Sequence, residues 1–225
     1  YGHYLTAITG YRDTNDSLLE ENTGAPPIPV APGVSLPLFV AARDQSYKQF
    51  SQEVRSAFNV GESFNAVAGL FFLKTNYHHY QMYHLDFALP GLIQYNVQDQ
   101  GTKSFSAFVQ SYTKLADGLK FSAGVRFTHD SIDARSTLDL GFGSKPLTSQ
   151  NWDKFDVKFP GSLDVGGKKS WDNVGWKLGL DYELGRNQLV YASWARGFKS
   201  GGFTGRIGIA QDLGPYDPEE VDTFE

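Results

Sequence analysis

Leu119-Lys120-Phe121-Ser122-Ala123-Gly124-Val125-Arg126-Phe127 is the stretch from which the rest of the chain is read. Leu119, Phe121, Ala123, Val125 and Phe127 are apolar, and Lys120, Ser122, Gly124 and Arg126 stand between them. On a helix this order scatters charge round every side. On a strand, successive side chains point to opposite faces and the two sets separate. Val174 to Leu184 repeats the pattern: Val174, Trp176, Leu178, Leu180, Tyr182 and Leu184 alternate with Gly175, Lys177, Gly179, Asp181 and Glu183. Weaker alternation places Phe50, Val54 and Phe58 opposite Gln49, Ser51, Glu53 and Arg55, and Phe105, Ala107 and Val109 opposite Ser104, Ser106 and Gln110. In that last segment Phe108 and Tyr112 blur the pattern. Residues 64–74 and 188–196 are strand-like in composition without assignable faces, and residues 4–12 and 221–225 complete about eight predicted strands.

The connections come in two kinds. Asn59–Ser63, Ala116–Gly118 and Gly185–Asn187 are short and carry turn chemistry. Residues 13–47, 76–103, 131–172 and 199–220 are long, and long segments without structure of their own are uncommon in compact soluble domains. Long and short alternate along the chain, so an up-and-down meander puts all the short turns at one end. Alternation alone fits a soluble β-sandwich, apolar side inward, as well as a membrane barrel, apolar side outward. The loop asymmetry favours the barrel, which has short turns on one side and long loops on the other. Predicted strands of about nine to twelve residues also match the nine to eleven that cross a bilayer at a tilt.

Composition removes several other classes. Lys plus Arg is 20 against Asp plus Glu at 25, a formal net charge of -5, which lacks the basic surplus a phosphate-binding face needs. There is no Cys, hence no disulfide framework, thiolate metal site or Cys nucleophile. No apolar run reaches the roughly 18 residues of a membrane helix. With 17 Phe, 12 Tyr and 4 Trp, the chain is too aromatic for a solvated tail. The start at Tyr1 has no secretory-leader pattern, and the chain stops in the middle of an alternating segment, so a section of a longer protein is expected.

Four segments carry a family likeness. Residues 189–203, Leu-Val-Tyr-Ala-Ser-Trp-Ala-Arg-Gly-Phe-Lys-Ser-Gly-Gly-Phe, resemble the YAS-x-x-x-GFK-x-GGF stretch of TonB-dependent outer-membrane receptors. Pro218 to Glu225 is similar to the PE-x-v-x-x-yE stretch that follows it, with Phe224 where Tyr is usual. Phe50-Ser51-Gln52-Glu53-Val54-Arg55 and Ala123-Gly124-Val125-Arg126-Phe127-Thr128 resemble two further strands, and all four occur in family order. Thr204 stands where the family often has Asn. The resemblance implies an all-β, antiparallel up-and-down transmembrane barrel, here an incomplete section of about eight strands. Residues 1–225 would be part of that single barrel domain, with the plug domain, TonB box and remaining strands absent. It further implies active uptake across the outer membrane of a Gram-negative bacterium, powered through TonB. A ferric siderophore would be the first cargo, with haem, cobalamin or an oligosaccharide as others. The implied partners are outer-membrane lipid, the TonB complex and a small-molecule ligand such as an iron chelate, with no nucleic acid and no cofactor. Other classes remain open at this point: a passive porin-like channel, an outer-membrane protease or lipase, and a soluble carbohydrate-binding β-domain.

Individual residues carry two readings each. Glu53 and Arg55, two apart, share the polar side; with Arg126, Lys177 and Asp181 they either line a wet lumen or form ion pairs that satisfy themselves. His78, His79, Tyr80 and His84 fall in a long connection, where they either touch ligand or pack as an aromatic girdle. His78 and His79 would not share a metal if that segment were a strand. Lys199 is a rim candidate for an anionic ligand, and His129 and His3 are expected at strand ends. Gly197 to Gly205 is no phosphate loop, since no helix pattern follows; Gly201 and Gly202 are expected where a strand bends or leaves the barrel. No Ser, His and carboxylate set stands at catalytic spacing, so no enzyme is expected.

Overall fold

The structure, a computed structural model, describes residues 2–36, 39–61, 63–143, 157–185 and 188–225. In chain order its strands are β1 (Gly2–Glu21), β2 (Ile28–Ala31), β3 (Val34–Leu36), β4 (Val40–Val60), β5 (Phe64–His84), β6 (Leu92–Ala116), β7 (Leu119–Phe142), β8 (Val157–Lys158), β9 (Leu163–Gly185), β10 (Gln188–Lys199) and β11 (Glu219–Phe224), with a single 3-10 turn at Ala210–Leu213. One antiparallel sheet runs β1-β4-β5-β6-β7-β9-β10-β11, with β8 beside β7; β2 and β3 form a separate hairpin inside the β1–β4 connection. Chain order is spatial order, so the sheet is an up-and-down meander. Among the described residues it does not close, because β1 and β11 each have a single neighbour there.

The predicted strands were too short. Six of the eight run 20 to 25 residues, so much of the predicted loops 13–47, 76–103 and 131–172 is a continuation of the ladder, whereas nearly all of 199–220 is a true connection. The mostly polar sequences of residues 76–84 and 92–103 hide the continuation, because backbone hydrogen bonds extend the hairpin with only a small apolar cluster, Ala42, Met82 and Ile93 beside Tyr80 and Tyr95. The true β5–β6 connection is only residues 85–91. Short and long connections still alternate, and the short ones all lie at one end of the sheet. Of the expected short turns, Glu62 and residues 186–187 lie outside the described residues.

Residues paired directly across a ladder share a face, so the register sorts every strand. Val125 stands opposite Val109 on β6 and Trp176 on β9; Phe121 stands opposite Leu180. Continuing outward, the same side carries Phe64, Ala68, Leu70 and Phe72 on β5, Val54 and Phe58 on β4, and Val190 and Trp194 on β10. Those on β5 and β10 are the faces that alternation left unassigned. Phe108 and Tyr112, which blurred the pattern on β6, lie on the opposite side, across from Arg126 and Ser122. Within the band the apolar side is exposed among the described residues: Val125, Leu180 and Trp194 are exposed by 45%, 44% and 42%.

The upper edge of this apolar band is oblique. Its last members are Phe50, Phe72, Phe105, Phe127 and Val174 on β4, β5, β6, β7 and β9. Following the register from Phe50 through Lys74, Lys103 and Ser131 leads to Ser170 on β9, four residues short of Val174. Four residues at about 3.3 Å against four strand spacings at about 4.8 Å give an incline of about 35°, the tilt of strands in a membrane barrel. From Phe50 to Val60 and from Phe64 to Phe72 the inclined band is about 22–27 Å tall at 3.3 Å per residue, close to the 25 Å of a lipid-facing belt.

Candidate functional site

Opposite the apolar band lies the polar side, which carries the candidate residues. Glu53, Arg55, Arg126, Lys177 and Asp181 all fall on it, as do Lys120, Ser106 and Thr128. The Arg55 guanidinium lies 3.3 Å from the Glu53 carboxylate, the pair expected from their spacing. Arg126 is held differently. Its Nη2 donates to Ser106 Oγ at 2.9 Å, and its guanidinium lies over the Phe71 and Phe108 rings at 5.4 and 5.7 Å. Gly69 makes room for this: a Cβ there would stand 2.6 Å from Phe108 Cζ, so a larger residue would push the ring away. Lys120 reaches Glu183 at 2.7 Å. The polar side of the lower half is thus a wall of charges with few apolar platforms, suited to water and to a polar solute or protein segment.

Above it, the same side is covered by the β10–β11 connection, which folds back over the sheet. Phe203, Ile207 and Leu213 are buried against Ile132, Ala134 and Trp171, with Leu138, Leu163 and Val165 packed alongside. Ser136 Oγ donates to the Gly205 carbonyl at 2.7 Å, and the Arg206 guanidinium lies 5.3 Å over the Tyr83 ring. The return of the segment is pinned at Asp217, which accepts from Lys169 Nζ at 2.7 Å and from Trp171 Nε1 at 3.3 Å. The Lys169 ammonium, and after it the indole N–H, hold the Asp217 carboxyl below the usual carboxylate range. Gly201 is explained here. Gly201 follows the end of β10 at Lys199, where the chain leaves the sheet as expected, and a Cβ on it would stand 2.5 Å from the Trp171 ring and 2.6 Å from the Tyr216 carbonyl, so close approach requires the glycine. Sequence reasoning missed this segment. Its signal is Phe203, Ile207 and Leu213, spaced apolar residues in an otherwise Gly-rich connection.

The expected loop cluster is not in a loop. His78, His79, Tyr80 and His84 all belong to β5, and the alternation of a strand divides them. His78, Tyr80 and His84 are on the side continuous with the apolar band, and His79 is on the polar side. His78 pairs with Asp99, its ring edge-on to Tyr80 at 4.2 Å between centroids. His79 faces the Tyr77 hydroxyl, and burial, reinforced by Arg43 and His78, pushes its imidazole below the ordinary range. His84 is buried at the end of β5 with Nδ1 3.5 Å from Asp86; burial lowers it too, against the pull of that carboxylate. His129, expected at a strand end, is inside β7 and pairs with Asp172 at 2.7 Å. Lys199 closes β10, exposed, 4.0 Å from Glu219. These residues therefore do not converge on one point.

Comparison with known proteins agrees with the architecture. A family model described as "TonB dependent receptor-like, beta-barrel" matches residues 1–225. Among solved structures, the crystal structure of the ferric yersiniabactin uptake receptor FyuA from Yersinia pestis is similar, with a TM-score of 0.73 at 18% identity. The match covers 99% of this chain and 30% of that one, so the chain spans about a third of that receptor's length. At that identity the likeness speaks for the fold. No curated protein matches in sequence.

Proposed function

Because the chain belongs to the TonB-dependent receptor β-barrel family, we propose that it forms part of the wall of an outer-membrane transporter that takes up a scarce nutrient, with an iron chelate as the first cargo to test. In this reading residues 1–225 belong to one barrel domain, and the plug and remaining strands are supplied by the rest of the protein. The observation that supports it best is the apolar side: exposed, about 25 Å tall and inclined at about 35° to the register, it has the dimensions of a surface that meets lipid. The opposite side, with Glu53, Arg55, Arg126, Lys177 and Asp181, then faces a wet interior. There it would meet the plug or passing cargo, which Arg126 is placed to engage through a carboxylate. The solved neighbour is itself an uptake receptor for a ferric chelate.

Uptake of radiolabelled ferric chelates by cells carrying the full-length gene, with and without TonB, tests the reading. The expected result is uptake that requires both the gene and TonB. Uptake that persists without TonB would replace it with a passive channel. TonB-dependent uptake of an oligosaccharide in place of iron would retain the transporter and overturn the cargo.

A further inference from the structure

Three lysines stand immediately above the apolar band, on the same outward side. Lys48, Lys74 and Lys103, on β4, β5 and β6, each lie two residues beyond Phe50, Phe72 and Phe105, toward the long connections. Lys74 and Lys103 are directly opposite in the β5–β6 ladder, an arrangement that is unfavourable for like charges. Lys48 has Asp13 at 3.4 Å, whereas among the described residues neither Lys74 nor Lys103 has a carboxylate within 4.0 Å. Next to them Asp133 stands opposite both Gly101 and Lys168. Lys74 and Lys103 border a cleft of about 130 Å³, also lined by Asn76, Gly101, Asp133 and Lys168. Gly101 leaves the notch: only Asn76 Oδ1, at 3.8 Å, comes within 4 Å of where its Cβ would be. On the next two strands the corresponding positions are His129 and Asp172, which pair with each other at 2.7 Å. In this row the lysines without a carboxylate partner among the described residues are those of β5 and β6.

We propose that Lys74 and Lys103, with Lys48 and Lys168 beside them, form a binding site on the outer wall for the phosphate of a lipid headgroup, whose acyl chains lie on Phe72, Phe105 and the band below. The site rests on the reading of the apolar side as lipid-facing. A bound phosphate removes the repulsion between the paired lysines, and the cleft lies one register step above the apolar edge, where a headgroup sits when its chains cover that edge. Basic clusters at such a boundary are the common means of holding anionic lipids.

The test uses the full-length receptor refolded in detergent, with lipid retention measured by native mass spectrometry for phosphatidic acid and for phosphatidylcholine. The wild type is expected to retain phosphatidic acid preferentially. The double variant Lys74→Gln, Lys103→Gln should lose roughly tenfold or more of that preference, as expected of two charges near a headgroup, while Lys120→Gln, on the opposite side, leaves it unchanged. Equal retention of the two lipids by the wild type, or an equal loss with Lys120→Gln, overturns the site. Displacement of the lipid by millimolar inorganic phosphate would show a free-anion site and overturn the lipid as occupant. If the refolded protein shows no heat-modifiable barrel, the lipid-facing reading itself has failed, an outcome separate from loss of the site within an intact barrel.

Discussion

Val125 and Arg126 are neighbours whose side chains meet opposite environments. Val125 lies between Val109 and Trp176 in the exposed apolar row, and Arg126 lies on the aromatic pair Phe71 and Phe108 behind it. Val125→Arg should therefore cost about 2–4 kcal/mol if the row meets the bilayer centre. The expected outcome is a marked fall in assembled full-length receptor in the outer membrane, and an unchanged yield would count against lipid on that side. His84 carries a pH prediction. Burial holds its imidazole below the ordinary value near 6.5, so the unfolded state binds the proton more readily than the folded one. The contribution is fully present above about pH 6.5 and is lost as pH falls from there toward the folded value. Hydrogen exchange at the Leu85 N–H, which donates to the Leu92 carbonyl at 2.9 Å, should lose protection between pH 7.5 and 5 once corrected for intrinsic rates. His84→Leu should remove that dependence.

At the scale of elements, the long strands and the inward-folded connection were the parts least visible beforehand. Periodicity located the apolar halves of β4, β6, β7 and β9 because half-exposed strands need one uniform face. It stopped at Lys48, Lys74, Lys103 and His129, where the face becomes polar while the ladder continues. An extension in water is held by main-chain hydrogen bonds, which leave no trace in side-chain type. That Glu53, Arg55, Arg126, Lys177 and Asp181 share the polar side was legible for the same reason, since two-residue spacing determines a shared side. The histidine cluster was not, because its sorting depends on whether residues 76–84 are strand or loop. The β10–β11 connection gives the element-scale prediction. Phe203→Ala empties a buried ring from the contact with Ile132 and Trp171 and should cost about 3 kcal/mol. The segment would then open more often, and trypsin should cleave after Arg206 faster in the full-length receptor. Cleavage at the wild-type rate would show that Phe203 does not anchor it.

At the scale of the whole molecule, both outer strands of the sheet have a free edge among the described residues, and an unpaired edge in lipid leaves backbone donors and acceptors without partners. The 225-residue section expressed alone should therefore give no heat-modifiable barrel on gel electrophoresis, whereas the full-length receptor should give one. A stable, heat-modifiable species from the section alone would mean that these strands close by themselves or by pairing with a second copy. The amino-acid order by itself determined which residues share a side in the apolar halves of β4, β6, β7 and β9, and that short and long connections alternate along the chain. Both follow from local alternation and turn chemistry. Only the tertiary structure decided how far the strands extend, that the apolar edge runs at an angle to the register, and that residues 200–214 lie against the polar side. Those depend on which residue faces which across a ladder or a packed surface, and such pairings join positions far apart in the chain.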